Sequence, residues 1–337
     1  MPLKVGLIGA GWVTQHHLKA WATLGDAARV VAIADPASER AAERAAAFGI
    51  PAVFAGAEDM LAAGGLDAVD IAAPRAVHAE LVRLAAGYGL PILCQKPLAP
   101  TLAEAQALVA EIDGRVPLMV HENWRFRAYY RQAADWLRAG RIGRVKAAHL
   151  SLVTSGTVPD GEGRFMALER QPFMRTEARM LVAEVLIHHL DTLRMLLGPL
   201  SVTAAALSRT CREMAGEDGA VIQLQSADGA GVSVFATFAA YGAPAQQSDC
   251  LMIAGDAGTL RLEDGHLSLS GPAPERIAYD AEATYAGSYA GAIGHFVRCL
   301  ETGAPFETGP QDNLETLRLV EDCYRLSGFE LRQGHAA

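Results

Sequence analysis

Basic charge is scarce in this chain. Twenty-nine Lys and Arg face 38 Asp and Glu, a net charge of −9. Phosphate backbones demand clustered cations, so a nucleic-acid-binding surface is excluded. Long apolar runs are also missing. The longest are strand-sized, too short for a membrane-crossing helix. Met1 is followed almost at once by a strand, Lys4–Ile8, with no stretch that reads as a signal peptide, so a cytoplasmic protein is expected. Cysteines are few and scattered. Cys94, Cys211, Cys250, Cys299 and Cys323 contain no CxxC pair, which points to buried thiols and away from disulfides or a zinc site.

What is present is a chain of 337 residues, more than one ordinary core accommodates, so two domains are expected. The first third alternates two periodicities. "KVGLIGA", "RVVAIAD", "DAVDIAAP", "PILCQ" and "PLMVHEN" are short runs rich in β-formers. Between them lie alanine-rich stretches with helical spacing at 13–23, 37–47, 76–88 and 101–112. Strand and helix in alternation imply a parallel sheet with right-handed crossovers, covered on both faces. After about residue 120 the rhythm changes. A helix is expected at 127–139, then longer strands that partly alternate. In "GVSVFATFAA", Val232, Val234, Ala236 and Phe238 share one face, and Ser233 and Thr237 the other. This is the pattern of an antiparallel sheet with one covered face. Further helices are expected at 178–197, 285–301 and 311–327, and "SGTVPDGEGRFMALERQPFMRT" reads as a long binding loop. The fold class is α/β: a dinucleotide-binding domain over 1–122, then an α/β domain over 123–337 with a large open, mostly antiparallel sheet.

"GLIGAGWVT" follows the first strand and opens a helix. Gly9 and Gly11 supply the tight turn and close backbone approach a pyrophosphate needs, with Trp12 and Val13 leading into the helix N-terminus. Thr14 stands where the strict fingerprint has Gly or Ala. Asp35 ends the second strand, about 20 residues on, where a carboxylate can bind the ribose hydroxyls and repel a 2′-phosphate. The cofactor expected is NAD, with NADP disfavoured; Arg40 is near enough in sequence to cover the adenine. Lys96 sits at the C-terminal tip of the "ILCQ" strand, the edge where open α/β sheets bind ligands. On "EVLIHHLD", Glu184, His188 and Asp191 are spaced to share a helical face. Three readings stay open for that histidine: a satisfied core residue, a metal ligand, or a general acid/base held by the acids. His189 points elsewhere and reads as structural.

These segments together resemble the Gfo/Idh/MocA family of NAD(P)-dependent oxidoreductases over nearly the whole chain. "GAGWVTQHH", with His17, resembles its glycine turn. "DAVDIAAPRAVHAELVRLAAGYGLPILCQKPLA" resembles its long signature ending in Glu-Lys-Pro. "AEVLIHHLDTLRMLLGP" resembles its histidine helix. The resemblance implies a Rossmann domain and a second domain whose open sheet forms a homodimer or homotetramer. It implies Lys96 and His188 as catalytic groups with Glu184 beside the histidine. Pro74, His78, Gln95, Lys96, Asn123 and Arg125 are implied at the cofactor, and Lys96, Asn123, Arg125, His188 and Tyr241 at a small sugar or polyol substrate. No metal is implied; a hydrolase using Glu184, His188 and Asp191 as ligands would leave the glycine turn idle. Three residues depart from the pattern: Gln95 for Glu, Glu184 for Asp, and Leu186 for Gly, which is expected to narrow the pocket. The Gln-Lys-Pro and "HENWRF" segments resemble those of aldose 1-dehydrogenases, D-apiose oxidation among them. A family member using its cofactor only transiently for glycoside cleavage, or sensing sugars, is the alternative.

Overall fold

The computed structural model describes residues 2–331. By compactness the chain forms two units. One comprises residues up to Arg127 with Tyr285–Leu317; the other comprises Ala128–Thr284 with the chain from Arg318 onward.

The first unit is built on six parallel strands: β1 (Leu3–Ile8), β2 (Ala28–Ala34), β3 (Ala52–Phe54), β4 (Ala68–Ile71), β5 (Ile92–Gln95) and β6 (Leu118–His121). Their order is β3-β2-β1-β4-β5-β6, with every pairing parallel. The helices between them are α1 (Thr14–Ala22), α2 (Ser38–Phe48), α3 (Ala57–Ala63), α4 (His78–Gly87) and α5 (Leu102–Ile112). Local chemistry marks their ends. Thr101 and Glu104 form a reciprocal capping box at the start of α5. Gly49, at φ 68°, stops α2 in the left-handed conformation. All residues of β4, β5 and β6 are buried, as expected of strands covered on both faces. The edge strand β3 and the short α3 have no counterpart in the sequence reading. Three residues are too few to show a period. On one side of the sheet Val5, Leu93 and Met119 join Trp21, Tyr289, Ile293 and Phe296 in one core. That shared core is why residues far along the chain belong to this unit.

The second unit opens with α6 (Ala128–Arg138) and β7 (Val145–Val153), followed by the short helix α7 (Met166–Arg170). A π-helical turn at Leu181–Leu186 runs into α8 (Ile187–Leu197). Strands β8 (Leu200–Ser208), β9 (Gly219–Ser226), β10 (Gly231–Thr237), β11 (Cys250–Gly255), β12 (Thr259–Glu263), β13 (His266–Ser270) and β14 (Glu275–Ala278) follow. The chain continues with α9 (Ala281–Thr302), which from Tyr285 onward belongs to the first unit, and α10 (Pro310–Ser327), whose residues after Leu317 belong to the second. The eight-stranded sheet has the order β14-β13-β12-β11-β7-β10-β9-β8. All its pairings are antiparallel except β7 with β10. Alternation alone reads as antiparallel, but it reports which face is covered and not strand direction. The covered face is as expected: Val232, Val234, Ala236 and Phe238 are all buried. On the other face Phe235 (42% exposed) lies directly across from Val221 (44% exposed). The 155–176 stretch is not irregular throughout. It holds α7, a 3₁₀ turn at Pro172–Arg175 and a bridge between Pro159 and Phe165.

Four of the cysteines are buried and Cys250 is half-buried, all as free thiols. Burial pushes the Cys323 thiol up to about 12 and Cys94 further still, so neither is reactive near neutrality. Among the described residues, no helix is long and apolar enough to cross a membrane.

The histidine-bearing helix is anchored from its N-terminal side by Glu217. This fully buried carboxylate accepts the amide protons of Val182 at 2.9 Å and Met180 at 3.3 Å, and the Tyr324 hydroxyl at 2.5 Å. Gly216 permits the approach, since a Cβ there would stand 2.6 Å from the Glu177 carbonyl oxygen. Burial, outweighing the Tyr324 and amide bonds, holds the Glu217 carboxyl above its ordinary 4.5. The native state therefore keeps the proton more tightly than the unfolded chain. That stabilisation is complete below the ordinary value and is lost as pH rises through the raised one. Glu217→Ala, which orphans three donors, is expected to cost about 2–5 kcal/mol. Measured against Glu217→Gln by urea midpoints, wild-type stability is expected to decline over that pH window; a flat difference would contradict it.

Candidate active site

The C-terminal ends of the parallel strands carry nearly every residue implied at the cofactor. After β1 the chain turns at Gly9, whose φ is 110°. A Cβ there would lie 2.5 Å from the Ala72 carbonyl oxygen, so only glycine fits. Gly11 is different: a Cβ there meets nothing within 4 Å, and the space above it is open. The first turn of α1 has no side-chain cap and no acid, so no carboxylate of its own opposes an anion at that helix end. The departure at Thr14 is harmless. Its side chain is completely buried and its hydroxyl donates to the Gly9 carbonyl at 3.1 Å. Asp35 accepts the Ala10 amide at 2.7 Å and the Ala37 amide at 2.8 Å, with Arg40 at 3.3 Å. One carboxylate thus ties the glycine turn to the tip of β2. A dinucleotide fits this cradle: open space at Gly11, an uncapped helix start without acids, and an acid at the ribose position. Trp12 stands exposed beside the turn, edge-on to His16, and Val13 is half-buried.

Other implied residues are engaged within their own unit. His78 is buried, its ring nitrogens 2.7 Å from the Pro97 carbonyl oxygen and 2.8 Å from that of Ala73. It straps the turn after β5 to the end of β4. Pro74 is exposed and precedes the 3₁₀ turn Arg75–Val77. The Asn123 amide donates to Ser288 Oγ at 2.7 Å. The Arg125 guanidinium pairs with Asp312 at 2.8 Å and donates to the Glu307 carbonyl at 3.0 Å. Lys96 is half-buried just past β5, and its peptide to Pro97 is cis. Gln95 is buried; its Oε1 accepts the Lys96 amide at 3.0 Å, and its Nε2 lies 2.8 Å from His17 Nε2 and 3.3 Å from His121 Nδ1. His17 Nδ1 in turn is 2.8 Å from Asp70 Oδ2, which also accepts the Trp21 indole proton at 2.7 Å.

In the second unit Glu184 lies within the π-helical turn and is half-buried; His188, at the start of α8, is buried, as is Asp191. π turns are rare and recur at functional sites. Leu186 is completely buried within its unit. His189 is held by Asp249 at 2.9 Å and the Val185 carbonyl at 3.1 Å, and Tyr129 and Tyr130 also donate to Asp249. Tyr241 is 82% exposed. Among the described residues no three His, Cys, Asp or Glu side chains are grouped to hold a metal ion. Sequence reasoning did not find Asp70, His121, Glu217 or Asp249. Their hydrogen-bond partners lie 26 to 120 residues away in the chain, and no contiguous motif marks any of them.

Residues 3–120 match the oxidoreductase family with the NAD-binding Rossmann fold, and residues 130–261 match the Gfo/Idh/MocA C-terminal domain. The chain belongs to the Gfo/Idh/MocA family. It is an NAD-dependent oxidoreductase. Similar proteins span almost its full length. A D-apiose dehydrogenase of Paraburkholderia graminis is 36% identical, the match covering 95% of this chain and 86% of that one. An inositol 2-dehydrogenase of Streptomyces avermitilis is 30% identical over 91% of this chain and 86% of its own. A crystal structure of an oxidoreductase from Agrobacterium radiobacter, in complex with NAD+, L-tartaric acid and magnesium, is 30% identical with a TM-score of 0.88, covering 97% of each chain. A levoglucosan dehydrogenase structure, at 21% identity and a TM-score of 0.84 over 97% of each chain, shares the fold.

The Asp35 geometry predicts the cofactor preference of this Gfo/Idh/MocA member. NAD is expected to bind at least about tenfold tighter than NADP, about 1.4 kcal/mol. Asp35→Ser is expected to narrow that preference and to weaken NAD, because the Ala10 amide loses its acceptor. Titration of NADH and NADPH fluorescence measures both; equal binding of the two by wild type would defeat the argument.

Proposed function

We propose that the chain oxidises a neutral aldose at its anomeric carbon to the lactone, reducing NAD. The observation that supports this reading most is Lys96, held by its backbone at a strand tip of an NAD-binding Rossmann sheet in a chain 36% identical to a D-apiose dehydrogenase. NAD, when bound, accepts the hydride. The Lys96 ammonium donates to the reacting oxygen and stabilises its alkoxide character. His188 takes the hydroxyl proton, and Glu184 orients the imidazole and favours its charged form. Asn123, Arg125 and Tyr241 complete the substrate surroundings, and the division of labour runs between a cofactor domain over 1–122 and a substrate and oligomerisation domain over 123–337. The half-exposed Phe235 and Val221 pair favours a second copy against the open sheet.

A neutral sugar is favoured over a sugar phosphate. Two of the three arginines of the 155–176 stretch are spent on carboxylates. Arg164 pairs with Asp160 and Glu162, and Arg175 with Glu169 and Glu213. Neither guanidinium is offered to a phosphate.

Lys96→Ala and His188→Ala are each expected to cut turnover by roughly two to four orders of magnitude. NAD binding should survive in both. Full turnover in His188→Ala would return that histidine to the core-residue reading. NADH formation across a panel of aldoses, polyols and uronates identifies the substrate. NMR of the first product should show a lactone hydrolysing to an aldonate. A keto sugar with an unoxidised anomeric carbon would refute the proposed position of attack, and glycoside cleavage without net NADH would favour the non-redox alternative.

A further inference from the structure

The Gln95 side chain has one end that only accepts and one that only donates. Its neighbours tell the two ends apart. The backbone N–H of Lys96 can only donate, so the atom 3.0 Å from it is Oε1. Nε2 therefore faces His17 Nε2 at 2.8 Å and His121 Nδ1 at 3.3 Å. An NH2 group has two protons to give and no lone pair to receive with, so both ring nitrogens act as acceptors. The His17 proton then sits on Nδ1, donated to Asp70 Oδ2 at 2.8 Å. The His121 proton sits on Nε2. The two rings are tilted 33° to each other with centroids 4.3 Å apart, and Gln95, His17, His121 and Asp70 are all buried.

We propose that Gln95 is a positioning residue, and that the chain Asp70–His17–Gln95 pins the Lys96 peptide while holding His17 and His121 as uncharged rings in opposite tautomers. The kinetic part rests on the reading of Lys96 as the reacting lysine; the tautomer part does not. The chemistry explains what Gln does that Glu, the residue usual in the resembling motif, cannot. A carboxylate at position 95 only accepts. His17 would then need a proton on Nε2 as well as the one it gives Asp70, becoming an imidazolium between two carboxylates. His121 would have to shift its proton to Nδ1. Gln and Glu have nearly the same shape, yet they dictate different protonation of the buried cluster beneath Lys96. Both amide ends have partners inside the protein, one of them the Lys96 backbone, so Gln95 acts on Lys96 directly.

The test is long-range 1H–15N NMR of the histidine rings in the full chain with NAD bound, assigned with His17→Gln and His121→Gln variants. Wild type should show His17 as Nδ1–H and His121 as Nε2–H. Gln95→Glu should turn His17 doubly protonated at neutral pH and reverse the His121 tautomer. Gln95→Met removes both the Lys96 acceptor and the two donors. It should lower kcat about tenfold or more while NAD affinity changes less than about threefold, and Gln95→Glu, which restores the acceptor, should recover most of that loss. An Nε2 proton on His17 in wild type overturns the network whatever the lysine does. Unchanged kcat in Gln95→Met overturns the positioning role. Full turnover in Lys96→Ala would remove the lysine from the chemistry and leave the ring tautomers standing, so the two readings fail separately.

Discussion

Parallel strand direction is the constraint on which the cofactor half of this protein depends. When all six strands run the same way, each must be followed by a crossover, and every C-terminal end falls on one edge of the sheet. Gly9, Asp35, Ala73, Lys96 and Glu122 all lie within two residues of such an end. The edge is where backbone amides of the next helix begin and where no further strand covers the polar groups. Chemistry gathers there because the architecture leaves it open, while the strand interiors are buried on both faces.

Buried polar groups then set the detail. Asp35 spends its oxygens on the Ala10 and Ala37 amides. Asp70, His17 and Gln95 form a line of bonds ending at the Lys96 amide. Glu217 does comparable work in the second unit, collecting the amides that begin the histidine-bearing helix. In each case a side chain away from water fixes a piece of backbone that carries a candidate site residue. An unmade bond at these positions costs more than a made one contributes, so the arrangement is directional and hard to slip.

The same logic limits the surface charges. The 160–175 acids and arginines look, in one dimension, like a recognition surface. In three dimensions Arg164 pairs with Asp160 and Glu162, and Arg175 with Glu169 and Glu213. Such exposed pairs contribute little to stability, but they remove cations from the pool available to a charged ligand.

The sequence by itself determined the alternating strands and helices of the first unit, the glycine turn, the acid after β2, the lysine at a strand tip and the covered face of β10. All of these are written in local periodicity and in the conformational limits of Gly and Pro, which act over a few residues. It also carried the family resemblance, because those motifs are contiguous. What only the tertiary structure decided is of longer range: the parallel pairing of β7 with β10, the return of α9 residues such as Phe296 to the first core, and the partners of His78, Arg125 and Gln95. Alternation encodes a face and not a strand direction, and a hydrogen bond spanning 78 residues of chain leaves no mark on its neighbours in sequence. Whether a polar side chain faces a ligand or a buried partner is settled by which groups the fold brings within 3 Å, and that is a property of packing.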